Sequence, residues 1–405
     1  MFSSLALVLR DPLLRLILAG LFLVGVAVSS VMPFASLVGV ERFGLADATY
    51  SSILFAASLV TVAASIVIGI VSDQRANRRK LLVATFAIAA VGYFLVFAAK
   101  SPLVFAVAHM TLIPLGGTAF SQLFALARIA VRTRAPDSYD EIFGVVRASF
   151  SLAFVITPPL WSMALASGAD LTDIYISAGL ATVICFALVA IFWPAGAAGA
   201  LEDTRSGLGI IAALKEMLAP SILARMLAVG FITGSNQLYM VLFGLLIVRE
   251  IGGETADVGR FHGAIALLEI PFMLMCGIAL RRLSKPRLIA LGGTIYAGFL
   301  FLFASMTSMA VAYFLVVPAA LGAAVILSVS ISYLQDLMST RPGAGAALMA
   351  ASNFVGQMVA AIAFAVGTAV TSYAGTAVIG GMLALAGVTA LLAMDSRSGQ
   401  ARARA

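Results

Sequence analysis

Charge is what this sequence has least of. Asp, Glu, Lys and Arg make up 11% of the 405 residues and hydrophobic residues 62%, where soluble domains carry about 25% charge and roughly 45–50% apolar residues. A water-soluble fold with that balance would expose apolar patches large enough to aggregate. The composition therefore excludes a soluble globular class and leaves lipid as the solvent. Cysteine is almost absent: Cys185 and Cys276 sit in apolar runs in different halves of the chain. That excludes a disulfide framework and the usual zinc site, and leaves two small packing residues. The two histidines, His109 and His262, have no metal-ligand spacing to other donors, so neither a metal nor a cofactor is expected. No nucleophile with its base marks an enzyme, and no segment between the apolar runs is long enough for a soluble output domain. The net charge of +7 does not indicate nucleic acid, because the basic residues sit in short loops between apolar runs.

What the chain has instead is twelve apolar runs near the ~20 residues needed to cross a bilayer. They cover 13–38, 47–71, 81–99, 103–127, 142–166, 173–193, 222–248, 257–280, 288–308, 311–334, 344–370 and 374–394. The first is too long for the core of a signal peptide and lacks a small-residue cleavage site, so it is expected to remain as the first span. Pro114, Pro158, Pro159, Pro271 and Pro318 fall inside runs, where membrane helices tolerate them. The longest polar stretch, with Glu202, Asp203, Arg205, Lys215 and Glu216, divides the runs six and six. The expected organisation is an N-terminal six-helix bundle over 1–194 and a cytoplasmic linker over 195–221 with a short surface helix at 208–218. A C-terminal bundle over 222–394 and a cytoplasmic tail over 395–405 complete it. If the amino terminus is placed in the cytoplasm, all but four of the 25 Lys and Arg fall on that side; the four are Arg42, Lys100, Arg249 and Arg260. The positive-inside bias predicts both termini in the cytoplasm. The basic loops Arg75 to Lys80 and Arg281 to Arg287 repeat at matching places in the two halves, as in transporters built from two bundles.

One acid lies where acids are costly. Glu269 falls near the middle of the eighth run, roughly 18 Å deep at 1.5 Å per residue, where a charge costs on the order of 2.5–3.5 kcal/mol. Two readings stand: a group that binds and releases protons in a wet cavity, or a carboxyl that ties one helix to another. Arg147, early in the fifth run, is its candidate partner, or it snorkels to the cytoplasmic interface. His262, seven residues before Glu269, shares its helical face. Amides and hydroxyls inside runs offer donors and acceptors to a polyhydroxylated substrate: Ser30, Gln122, Asn236, Gln237, Asn353 and Gln357, the last two sharing a face. Trp161 and Tyr239 are aromatic platforms for a sugar ring. Each of these residues also has an ordinary packing role open to it. Trp193, at a run's end, reads as an interface anchor.

The segment Gly69 to Lys80, with Asp73, Arg75, Arg78, Arg79 and Lys80, resembles the signature between helices 2 and 3 of the major facilitator superfamily, with Ala76 at the usual mid-loop glycine. The resemblance implies an all-α membrane protein with the major facilitator fold, twelve transmembrane helices in two six-helix bundles. It also implies a cytoplasmic gate in which Asp73 works with Arg128, with Arg78 in the same basic loop. Gln122 to Arg128, Val146 to Leu160, Leu268 to Pro271, and Gln335 to Met338 with Gly343 and Gly345 together resemble the bacterial sugar efflux transporter family. That implies a monomeric multi-pass protein of the bacterial inner membrane that exports sugars or small glycosides by proton antiport. Substrate enters between the bundles, Glu269 and Arg147 couple protons, and Asp336 with Arg281 or Arg282 completes the gate. The alternative is a multidrug/proton antiporter of the same fold. Against it, Leu112 stands where those antiporters carry an intramembrane Arg, and Thr157-Pro158 where they carry Gly-Pro.

Overall fold

A computed structural model describes residues 8–74, 78–134, 139–194, 219–337 and 342–404. Twelve helices among them are long and apolar enough to cross a membrane. They fall into two compact units, Met1–Leu45 with Ala56–Arg205 and Ala46–Phe55 with Ser206–Ala405. Most of the expected linker, 195–218, lies outside the described residues, and so does the surface helix expected at 208–218.

In the first unit, α1 (Pro12–Val31) starts where the Asp11 carboxylate accepts the amides of Leu13 at 2.8 Å and Leu14 at 2.9 Å, with Pro12 at the first helical position. Both features satisfy or remove donors that a helix start leaves unpaired. The run 13–38, expected as one helix, breaks after Val31. Pro33 has no amide to continue the ladder; the chain turns and then resumes as a wide, π-helical turn at Leu37–Arg42. Next come α2 (Asp47–Gln74), whose first residues group with the second unit, and α3 (Arg78–Ala99). The fourth span is composite: α4 (Pro102–Val107), a π-helical turn at Ala108–Leu112, and α5 (Ile113–Arg134). The unit continues with α6 (Tyr139–Ala166) and α7 (Ile174–Ile191). Packing of α1 on α6 and α7, and of α3 on α5 and α7, encloses Leu13, Ile17, Leu21, Phe86, Leu123, Val146 and Cys185. Trp193 packs against the same core. In lipid, helices associate through close van der Waals contact rather than through escape from water, which favours small residues at crossings. Gly116 of α5 illustrates this: a Cβ there would collide with Ala89 of α3.

In the second unit, α8 (Pro220–Leu246) runs into a π-helical turn at Ile247–Ile251, which closes on Gly252. That glycine has φ +79°, a left-handed helix stop that side chains other than glycine adopt at a cost. Then follow α9 (Thr255–Ala279), α10 (Lys285–Ala304), the single turn α11 (Met309–Ala312), α12 (Val316–Asp336), α13 (Pro342–Val370) and α14 (Tyr373–Arg404). Helix α8 packs on α13 and α14, α10 on α12 and α14, and α9 on α12. Its core is aromatic: Tyr239, Phe243, Phe261, Phe299 and Phe303 pack ring on ring. Large apolar side chains such as Leu103, Leu274, Phe314 and Val370 point outward, each more than 70% exposed. A lipid-facing surface accounts for them.

Candidate functional site

The second unit gathers amide, hydroxyl and carboxyl groups about half-way along its spans. Asn236 and Tyr239 lie three residues apart on α8, hence on one face. Asn236 Nδ2 donates to the Tyr296 hydroxyl of α10 at 2.9 Å. Tyr239 and Tyr296 meet edge to face, with centroids 6.2 Å apart. Glu269, half-buried on α9, lies within electrostatic reach of both phenols. Ten residues separate it from the end of α9 at Ala279, so it is roughly 15 Å from that end. Tyr296 is held by a close crossing: a Cβ on Gly322 of α12 would sit 2.9 Å from Tyr296 Cβ and 3.0 Å from its backbone nitrogen. Tyr296 is absent from the sequence reading, because nothing in a linear pattern pairs a tyrosine of the ninth span with an asparagine of the seventh.

The other expected residues fall into three groups. Gln237 is half-buried on α8, Gln357 half-buried and Asn353 exposed on α13. His262 is buried against Phe243. In the first unit, Gln122 reaches the Thr85 and Thr118 hydroxyls at the long distances of 3.4 and 3.5 Å. Trp161 and Ser30 belong to one hydrogen-bonded chain instead. Trp161 Nε1 donates to Ser177 Oγ at 3.0 Å, Ser177 to Ser30 Oγ at 2.8 Å, and Ser30 to the Val26 carbonyl at 2.7 Å. The indole N–H and the Ser177 hydroxyl thereby tie α6, α7 and α1 together, and the Ser30 hydroxyl proton is spent within α1. His109 meets the Tyr175 hydroxyl at 2.7 Å in the π-helical turn. Arg147 is half-buried on α6, and Arg78 and Arg128 are half-buried on α3 and α5. The side chain of Asp73 lies outside the described residues. Asp336 pairs with Lys285 at 2.6 Å, where the sequence reading gave it Arg281 or Arg282; Arg281 is exposed. Lys285 opens α10 and Asp336 closes α12, so the packing of those two helices decides the pairing.

The four minority cations each have a partner. Arg42 binds Asp170 at 3.0 Å, Lys100 approaches the same carboxylate at 4.0 Å, and Arg260 meets Asp257 at 3.3 Å. The Arg42 hydrogen bond, with those from Thr172, holds the Asp170 carboxyl well below the usual carboxylate range. Arg249 donates to the Tyr373 hydroxyl at 2.9 Å and lies over its ring at 5.7 Å. Tyr373 donates in turn to Asp47 at 2.9 Å. The Glu250 carboxylate accepts the first two amides of α14, Tyr373 N and Ala374 N, at 2.8 Å each.

Twelve apolar spans in two helical units, with an acid and its hydroxyl and amide neighbours half-way along them, define a membrane transporter. The chain belongs to the Major Facilitator Superfamily, whose profile matches residues 17–364, and within it to the sugar efflux transporter family. Sugar efflux transporter A of Escherichia coli (strain K12) is 30% identical over 300 residues, covering 72% of this chain and 73% of that protein. Sugar efflux transporter B of Salmonella typhimurium is 28% identical over 293 residues, covering 71% of this chain and 72% of that one. The fold is similar to that of the nucleoside transporter NupG, with TM-score 0.79 and 12% identity over 95% of this chain and 99% of that one. It is equally similar to a POT family transporter in complex with 5-aminolevulinic acid, with TM-score 0.79 and 10% identity over 95% and 96% of the two chains. Those two likenesses concern the fold alone. The protein is a transporter and not an enzyme.

Proposed function

We propose that this protein exports sugars or small glycosides from the cytoplasm across a bacterial inner membrane in exchange for protons, as a monomer with both termini in the cytoplasm. The observation that carries the reading is the cluster of Asn236, Tyr239, Glu269 and Tyr296 inside the second unit, taken with the relatives named as sugar efflux transporters. Amide and phenol groups both donate and accept, which matches the hydroxyls of a neutral sugar. The Tyr239 ring, expected as an aromatic platform, is 2% exposed and packed among Phe243, Phe299 and Phe303, so its face is taken up by the core of the unit. Glu269 is the proton carrier: an ionised carboxylate at that depth costs about 2.5–3.5 kcal/mol, so protonation changes which arrangement of the helices is favoured. Arg147 on α6 is the cationic counterpart in coupling. Gln122, Gln237, Asn353 and Gln357 supply further polar contacts to the substrate. Trp161 and Ser30, bound into the chain through Ser177, shape the first unit and contribute to binding through the indole face. Asp73, Arg78, Arg128 and Arg281, with Asp336 held by Lys285, form the cytoplasmic gate.

The test is counterflow in liposomes with labelled sugars, with a panel of cationic dyes alongside, each run with and without a pH gradient. Glu269→Gln is expected to abolish uptake driven by the gradient while the protein still inserts and binds sugar. Undiminished proton-driven export by that variant overturns the coupling role, and transport of dyes without sugars overturns the substrate class.

A further inference from the structure

Tyr239 carries a hydroxyl that the fold leaves without a partner. The residue is 2% exposed, and its oxygen makes no hydrogen bond. Its ring cannot easily swing to find one, because Phe243, Phe299 and Phe303 pack around it with centroids at 4.9, 5.2 and 6.1 Å. A buried hydroxyl kept unpaired costs free energy, so an acceptor that reaches it in another state would be stabilising. The neighbouring phenol is half-used. Tyr296 accepts from Asn236 Nδ2, and a phenol that accepts still has its own hydrogen to donate. Two O–H donors are thus available on rings whose centroids lie 6.2 Å apart, and Glu269 lies within electrostatic reach of both.

The chemistry of the carboxyl distinguishes its two states. Protonated, it has a hydrogen of its own and accepts weakly. Ionised, it is purely an acceptor with room for several donors, and hydrogen bonds to it are the strong, charge-assisted kind. Two fixed phenols therefore suit the ionised form. We propose that Tyr239 and Tyr296 form a two-phenol receptor for the ionised carboxylate of Glu269, and so set the pH at which the proposed proton carrier binds and releases its proton. The proton leaves the carboxyl for water; both tyrosines keep theirs and turn their O–H bonds onto the carboxylate. Asn236 is the positioning residue, since its bond to Tyr296 fixes where that hydroxyl stands. The other titratable groups on the elements packed with α9 lie elsewhere. Arg225 and Tyr333 interact at one end of the unit, and Asp257, Arg260 and Tyr313 at the other. Arg249 and Glu250 are engaged with the start of α14, Asp336 pairs with Lys285, and His262 lies two turns before Glu269 against Phe243.

This inference rests on Glu269 as the proton carrier, and the experiment separates the two. Purified protein in nanodiscs is titrated with pH by infrared difference spectroscopy, and the Glu269 carboxyl band is identified by its loss in Glu269→Gln. Tyr239→Phe and Tyr296→Phe each keep the ring and remove one donor. Each is expected to raise the midpoint of protonation by about one pH unit, a tenfold gain in proton affinity, and the double variant by more. A Glu269 band that titrates with the same midpoint in both single variants overturns the receptor and leaves the carrier standing. No titrating Glu269 band in the unmodified protein overturns both.

Discussion

Replacing Glu250 by alanine tests whether the start of the last span is held by a carboxylate cap supplied from another helix. A helix start leaves four amides unpaired, and Glu250 accepts two of them in α14, at 2.8 Å each. Loss of a capping side chain costs roughly 0.5–2 kcal/mol, and loss of a negative charge at the positive end of the helix about 0.3–1 kcal/mol more. The two bonds are not equivalent. Ala374 is half-exposed, so water can replace its partner, whereas Tyr373 is 6% exposed and its amide has no substitute. The expected loss for Glu250→Ala is therefore about 1.5–2.5 kcal/mol. At ~2–4 °C per kcal/mol for domains of this order of size, that is about 3–10 °C in melting temperature. Size-exclusion of detergent-solubilised protein after graded heating reads it. Glu250→Gln keeps an acceptor oxygen without the charge and is expected to fall between the two. An Ala variant that melts with the unmodified protein would refute the cap as a source of stability.

Two further predictions concern the Arg42–Asp170 ion pair and the tyrosine crossing. The Asp170 carboxyl is depressed in the folded protein, first through the Arg42 hydrogen bond, so its stabilising contribution is complete above the unfolded value of about 3.9. It is lost as pH falls through the lower folded value. Arg42→Gln should therefore lower thermal stability slightly at neutral pH and have less and less effect below about pH 4; a constant difference across that range would exclude the pairing. Gly322→Ala places a methyl 2.9 Å from Tyr296 Cβ and 3.0 Å from its backbone nitrogen. Backbone cannot be repacked as a side-chain end can, so about 1–3 kcal/mol of overpacking is expected, together with weaker sugar binding in isothermal titration. Unchanged binding and melting would show that α10 and α12 have slack.

The expected residues differ in how far sequence could carry them. Glu269, Asn236 and Tyr239 are legible because a polar group inside an apolar span is costly and therefore conspicuous. The fourth member of the cluster is not: Tyr296 is an amphipathic residue like many others until α10 is laid against α8. Trp161 and Ser30 show the opposite case. Both read as substrate contacts, and the fold binds them to each other through Ser177, a residue with no signal of its own. Lys285, not Arg281 or Arg282, meets Asp336, because helix packing rather than loop charge decides which cation is near.

Hydropathy alone determined that twelve segments enter lipid and, through the distribution of Lys and Arg, which way round they are expected to lie. These are properties of a chain and its solvent, and they add up residue by residue. Where α1 breaks, which hydroxyls are consumed and which are left unpaired, and what lies near Glu269 depend on how separate helices touch. Only the packed structure decides those, because a hydrogen bond is won or lost within a few tenths of an ångström.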